Sequence, residues 1–251
     1  MLKKRILYLL PFDNGVFCRT KQFKPDYRYT SSFVDPNFCD ELVLLNVSNN
    51  KKTDQSFSEF LSTLFEMSSR TFIPVTAGGG IHSEEQVKLL LEHGADKVVI
   101  NSWSFEINNR ELSSAIDRFG SQCFVGSVDY RIHDGSVVTY KNSGSSETGF
   151  SLKETIKHFQ SLDVGELLFN SIDRDGSLEG LDLGLLQQIA SLLDRPTLVA
   201  GGLGNWRHMK EALDMQEVSG VATSNVYHLT QSAMKLFRQK MAENGISVRK
   251  P

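Results

Sequence analysis

Residues 73–102 read IPVTAGGGIHSEEQVKLLLEHGADKVVINS: an apolar run, three glycines, an amphipathic stretch, a second apolar run and an asparagine-serine pair. The same order returns at 197–225, TLVAGGLGNWRHMKEALDMQEVSGVATSN. Gly79-Gly80 recurs as Gly201-Gly202, 122 positions on, and Asn101-Ser102 recurs as Ser224-Asn225, 123 positions on. Further out, Glu41 followed by Leu42-Val43-Leu44-Leu45 returns as Glu166 followed by Leu167-Leu168-Phe169, at an offset of 125. Offsets close to half the chain length predict two homologous halves in one barrel.

Strand-like runs fall near 6–10, 42–46, 73–76, 97–100, 123–129, 166–170, 197–200 and 220–223, which makes eight. Helical patterns lie between most of them, at 57–67, 84–93, 108–118, 152–162, 183–193, 206–214 and 229–244. Ser83 with Gln86 and Ser151 with Glu154 have capping-box spacing, marking two helix starts. The stretch 27–36, YRYTSSFVDP, has no helical stripe, so the first crossover helix is expected to be short or absent. The expectation is a single (β/α)8 TIM barrel over residues 1–251, of α/β class, built from two half-barrels.

Composition narrows the function classes. Of 251 residues, 40% are hydrophobic and 23% charged, the balance of an ordinary globular protein. A net charge of −3 gives no general attraction to nucleic acid or to anionic lipid. Cys18, Cys39 and Cys123 lack the spacing of a zinc site or a disulfide framework, and free thiols in a reducing cytoplasm are expected, with no metal and no cofactor. The apolar run after Met1-Leu2-Lys3-Lys4-Arg5 stops at Pro11, which suits a first strand better than a leader or a membrane span.

In such a barrel, functional groups gather at the C-terminal ends of strands. Glycines there let backbone N–H groups approach an anion, because no Cβ intervenes. The doubled constellation of Gly78-Gly79-Gly80 with Asn101-Ser102, and Gly201-Gly202 with Ser224-Asn225, therefore predicts two phosphate seats. Ser171-Ile172-Asp173-Arg174-Asp175-Gly176 crowds three charges into one βα loop and is expected to face substrate. Asp129 ends an otherwise apolar run; on the residues alone it is either a general acid–base group or a turn-initiating aspartate. At the opposite end Arg5, Glu41, Lys97 and Glu166 each begin a strand, either as exposed edge charges or as a paired ring at the barrel floor.

These features together resemble the cyclase subunit of imidazole glycerol phosphate synthase (HisF) over nearly the whole chain. The fingerprints are Met1-Leu2-x-Lys4-Arg5-Ile6, Asp40-Glu41-Leu42-Val43, Gly78-Gly79-Gly80-Ile81-His82, Gly94-Ala95-Asp96-Lys97-Val98, Phe119-Gly120-Ser121-Gln122, the loop from Ser171 to Gly176, and Gly245-Ile246-x-Val248-Arg249. The resemblance implies a barrel that binds a two-phosphate substrate and receives ammonia from a HisH-like class I glutaminase docked at its floor. It assigns Arg5, Glu41, Lys97 and Glu166 to an ammonia gate and Asp96 to the glutaminase interface. It places Gly80, Asn101, Asp175, Gly176, Gly202, Ser224 and Asn225 on phosphate-binding positions, and Asp129 on one of two catalytic aspartates.

The other catalytic aspartate of that pattern falls on Pro11, which cannot transfer a proton. Asn14 and Asn46 also stand where the pattern has aspartate. The sequence therefore points to a diverged HisF-like paralogue that delivers ammonia to a phosphorylated or nucleotide-linked sugar, forming an acetamidino group in surface-polysaccharide biosynthesis. The alternatives are the histidine-pathway cyclase, with Asp129 acting alone or beside a compensating group such as Asp13, and a non-catalytic scaffold that activates a glutaminase.

Overall fold

The computed structural model describes residues 3–29, 39–49, 53–106, 110–224 and 233–248. Eight parallel strands close on themselves: β1 (Arg5–Asp13), β4 (Glu41–Asn46), β5 (Val75–Gly78), β6 (Lys97–Ile100), β7 (Phe124–His133), β10 (Glu166–Ser171), β11 (Thr197–Ala200) and β12 (Val218–Thr223). Pairing of β1 with β12 and of β7 with β10 completes the circle, so no barrel edge is left open. Two antiparallel ribbons stand on the barrel, β2 (Val16–Lys21) with β3 (Lys24–Tyr29), and β8 (Ser136–Lys141) with β9 (Ser146–Ser151).

Around the strands lie α1 (Asp54–Ser68), α2 (Glu84–Glu92), α3 (Arg110–Phe119), α4 (Leu152–Ser161), α5 (Leu183–Ile189), α6 (Trp206–Leu213) and α7 (Ala233–Glu243). Their starts are written locally. Ser83 accepts from the Gln86 amide at α2, Ser151 and Glu154 form a reciprocal capping box at α4, and Asn205 accepts from the Arg207 and His208 amides at α6. Apolar side chains form two layers. The outer one packs helices on strands through residues such as Phe60, Leu90, Ile116, Phe159 and Met209. The inner one fills the barrel with Leu7, Leu9, Val43, Val99, Val125, Leu168 and Leu198. Arg238 of α7 pairs with Asp40 at 3.0 Å, fastening the last helix beside the second barrel strand.

Three elements differ from the expected pattern. The third barrel strand lies at Val75–Gly78 rather than at 73–76: Pro74 has no N–H to give, and its carbonyl accepts from Leu42 instead. The first and fifth strands outrun their expected ends because each continues into a ribbon. Each ribbon is entered from its barrel strand through a residue pair with positive φ, Asn14-Gly15 (49° and 85°) between β1 and β2 and Asp134-Gly135 (47° and 77°) between β7 and β8, the two-residue hairpin signal. A ribbon, not a helix, follows the first strand as far as Tyr29; residues 30–38 lie outside the described residues, as do the starts of the helices expected at 108 and 229.

Candidate functional site

The mouth of the barrel opens into a cavity of about 1230 Å³, its open end included. Both glycine turns line it. Gly79 (φ +100°) and Gly201 (φ +94°) each press on the end of the neighbouring strand. A Cβ on Gly79 would sit 2.2 Å from the Asn46 carbonyl oxygen, and one on Gly201 would sit 2.6 Å from that of Ser171. Asn46 and Ser171 occupy the same place in the two halves, five residues beyond Glu41 and Glu166. The next glycines, Gly80 and Gly202, also have positive φ and face the cavity.

The hydroxyl-bearing side of each seat is less symmetric. Ser224 brings a buried Oγ to the cavity wall with no hydrogen-bond partner among the described residues. Asn225 lies outside the described residues. In the first half both amide hydrogens of Asn101 are already committed, to the carbonyls of Ser127 at 2.9 Å and Tyr140 at 3.1 Å. Ser102 Oγ accepts from the Asn142 amide at 2.9 Å. These two residues line the cavity and also fasten the β8–β9 ribbon over it.

Asp129 is the last residue but one of the parallel part of β7, lines the cavity and is 8% exposed; the Ser127 hydroxyl donates to it at 2.7 Å. Strand register identifies its counterpart without reference to any other protein. Asp129 stands opposite Asn170, Pro11 stands opposite Leu45, and Leu45 and Asn170 are half-repeat equivalents. Pro11 therefore fills, on the same cavity wall, the place that Asp129 fills in the other half. Asp13 stands apart from that place. It is 3% exposed, bound by the Arg28 guanidinium and the Asn14 amide, and is not among the residues lining the cavity.

The charged loop after β10 divides: Asp173 and Arg174 brace neighbouring residues, while Asp175 and Gly176 face the cavity. Asp173 binds Arg131 at 3.1 Å and the Ile132 amide at 2.9 Å. Arg174 pairs with Asp182. Asp175 and Gly176 do line the cavity, but Asp175 also accepts from the Phe23 amide at 3.0 Å, seating the β2–β3 ribbon. Burial is the largest influence on the Asp175 carboxyl and raises its pKa above the ordinary value; bonds from Phe23 and Thr20 offset part of it. Gly176 meets the same ribbon, since a Cβ there would lie 2.7 Å from the Thr20 carbonyl oxygen. Sequence reasoning missed His82, whose Nδ1 is 2.8 Å from the Gly80 carbonyl oxygen at the cavity wall, and Asn170; only position at a strand end pointed to them.

At the floor the four strand-start charges form a closed ring. One nitrogen of Arg5 donates to Glu41 at 2.9 Å and to Glu166 at 3.0 Å, and Lys97 Nζ donates to both carboxylates at 3.0–3.2 Å. Thr76 adds a bond to Glu41 at 2.6 Å. Burial alone would lower the Arg5 pKa, but the Glu166 and Glu41 carboxylates outweigh it and raise it. Asp96, exposed beside this ring, accepts from the Val75 amide at 2.8 Å. Burial pushes the thiols of Cys18 and Cys39 up to about 12, so neither offers a ready thiolate. Among the described residues no cluster of His, Cys, Asp and Glu could hold a metal ion, and no helix is long and apolar enough to cross a membrane.

Comparison with known proteins agrees with this geometry. The family model described as "Histidine biosynthesis protein" matches residues 13–232. The chain is 35% identical over 215 residues to imidazole glycerol phosphate synthase subunit HisF of Streptococcus mutans, covering 84% of this chain and 83% of that one. It is 31% identical over 256 residues to the HisF subunit of Staphylococcus carnosus, covering 99% of each. A protein of Parasynechococcus marenigrum provisionally named imidazole glycerol phosphate synthase subunit hisF2 is 32% identical over 250 residues, covering 96% of this chain and 91% of that one. With a closed (β/α)8 barrel, a match over most of its length and HisF relatives that align nearly end to end, the protein belongs to the histidine biosynthesis family as a HisF-like member.

Proposed function

We propose that residues 1–251 form one barrel domain that works as the ammonia-using subunit of a HisF-type synthase. The observation that carries this reading is the joining of two sites by one apolar interior. The ring of Arg5, Glu41, Lys97 and Glu166 closes the floor, and the cavity with Asp129 opens the mouth. Between them lie Leu7, Leu9, Val43, Val99, Val125 and Leu168, an interior that favours neutral ammonia over ammonium, because a charge loses its hydration there. A glutaminase docked at the floor beside Asp96 supplies the ammonia in this reading. Gly80 with Asn101 and Ser102, and Gly202 with Ser224 and Asn225, hold the two phosphates of the acceptor, with Asp175 and Gly176 closing the rim. Asp129, oriented by Ser127, takes the proton that the nitrogen sheds as it bonds to carbon.

The relatives' names favour the acceptor of imidazole glycerol phosphate synthase over the sugar expected from the sequence. The sugar remains as a second reading on one observation: Leu9, Pro11 and Leu45 line the cavity where the other half presents Ser127, Asp129 and Asn170. An acceptor that needs two acids is poorly served by such a wall. The deciding experiment is a cyclase assay with ammonium salt and the phosphoribulosyl formimino precursor of the histidine pathway, run beside Asp129→Asn. Turnover that this substitution abolishes supports the first reading. No turnover with the precursor, but nitrogen transfer to a nucleotide-linked N-acetyl sugar, supports the second. Absence of both, together with stimulation of a glutaminase, would leave only the scaffold role.

A further inference from the structure

Asp182 lies outside the cavity and 8% exposed, yet three donors converge on its carboxylate. The Tyr130 hydroxyl donates to Oδ2 at 3.1 Å, the Ser171 hydroxyl donates to the same oxygen at 2.8 Å, and Arg174 Nε donates to Oδ1. Although Asp182 is the N-cap residue of α5, its side chain makes no capping bond, so its acceptor capacity goes to these neighbours. From them two short paths lead to the glycine turn of the second half. Arg174 Nη1 donates to the Gly180 carbonyl at 3.2 Å, and the Gly180 amide donates to the Gly202 carbonyl at 2.7 Å. Ser171 supports Gly201, whose missing Cβ would lie 2.6 Å from the Ser171 carbonyl oxygen.

Among the described residues the first half has no such anchor. There Asn46, the counterpart of Ser171, makes a 3.5 Å contact from its amide to Ser56 and accepts from the Ser48 amide at 3.1 Å. The two turns are thus built alike and braced differently, one by neutral groups and one by a buried carboxylate with its cation.

We infer that Asp182 is the positioning residue of the second-half anion seat, fixing the Gly201-Gly202 turn through Ser171 and through Arg174 and Gly180; this rests on the reading of that turn as a phosphate seat. Asp182 touches no substrate. Arg174 is likewise absent from the cavity lining and acts as a brace, not as a ligand.

The test is a titration of the full chain, labelled with ¹⁵N-glycine, with inorganic phosphate, following the amides of Gly80 and Gly202 separately. Asp182→Asn keeps size and removes charge, and it should weaken the Gly202 site about tenfold while leaving the Gly80 site unchanged, the scale set by losing hydrogen bonds to a charged group. Tyr130→Phe removes one donor only and should give a smaller loss confined to Gly202, which keeps the inference testable if Asp182→Asn folds poorly. Equal weakening at both amides would show a merely structural role and overturn the inference. Unchanged or tighter phosphate binding at Gly202 would overturn it too, because Arg174 would then be a ligand held away from its anion. A wild-type response at Gly80 with none at Gly202 would instead remove the phosphate reading of that turn, and the inference with it.

Discussion

In one half of the barrel, β1 and β4 bring Leu9, Pro11 and Leu45 to the mouth; in the other, β7 and β10 bring Ser127, Asp129 and Asn170 to the matching places. Both halves keep the glycine pair that leans on its neighbour strand, the ribbon after the first strand, and charged residues at the floor. What is shared is backbone geometry, where a Cβ or a shifted register cannot be accommodated. What differs is side-chain chemistry on the cavity wall, where substitution costs the fold little. The barrel is therefore symmetric as a frame and one-sided as a site.

The sharpest way to break that contrast is Asp129→Asn. Ammonia-dependent turnover of the acceptor should fall by about 10²–10⁴ while phosphate binding stays, as expected for loss of one proton-transfer group. Unchanged turnover would mean that the polar wall carries no chemistry. At the floor the two glutamates separate the halves. Glu41→Ala takes an acceptor from Arg5, Lys97 and Thr76, leaves the two cations on one oxygen of Glu166, and should cost about 3–5 kcal/mol in urea unfolding, the range for one partner lost from a buried ion pair. Glu166→Ala should cost less, since among the described residues its Oε2 is buried without a partner and a single oxygen holds the two cations. Equal costs would argue against unequal loading of the ring.

Gly79→Ala combines positive φ with a backbone contact closer than that at Gly201, so it should lower the thermal midpoint more than Gly201→Ala, with backbone strain alone worth about 1–3 kcal/mol. Pro11→Asp restores a carboxylate opposite Leu45. If that acid is all the histidine reaction lacks, precursor turnover should rise about tenfold or more; no gain would point to the apolar surroundings of Leu9 and Leu45 as the block. The smallest effect concerns Asp175. Its carboxyl is raised by burial, so its contribution is fully present below the ordinary carboxylate pKa and is lost as pH rises through the raised value. Asp175→Asn should therefore match or exceed wild-type stability at neutral pH by under about 1 kcal/mol and lose that advantage in acid. Denaturation curves at the two pH values check this.

Much of this was legible in the chain. The eight strands, the doubled glycine turns and the four strand-start charges follow from apolar runs and spacing, because barrel register converts linear position into angular position around the axis. The hairpin pairs Asn14-Gly15 and Asp134-Gly135 stand where the two ribbons begin, but the pairs alone do not tell which strands they join. Pro74 moved a strand by removing a donor that the apolar run had concealed. Least visible were the partnerships. Nothing local tells that Asn101 spends its amide on Tyr140, or that Asp182 gathers Tyr130, Ser171 and Arg174, since those bonds join residues brought together only by closure of the barrel.

The floor ring has a mechanical consequence. Arg5 bridges both carboxylates through one nitrogen, and Lys97 bridges the same two through one ammonium. A cation that swings aside must let go of one carboxylate or draw both along with it, so movement at one corner of the ring is passed to the others. A partner pressing on any one of these side chains would be felt across the whole aperture.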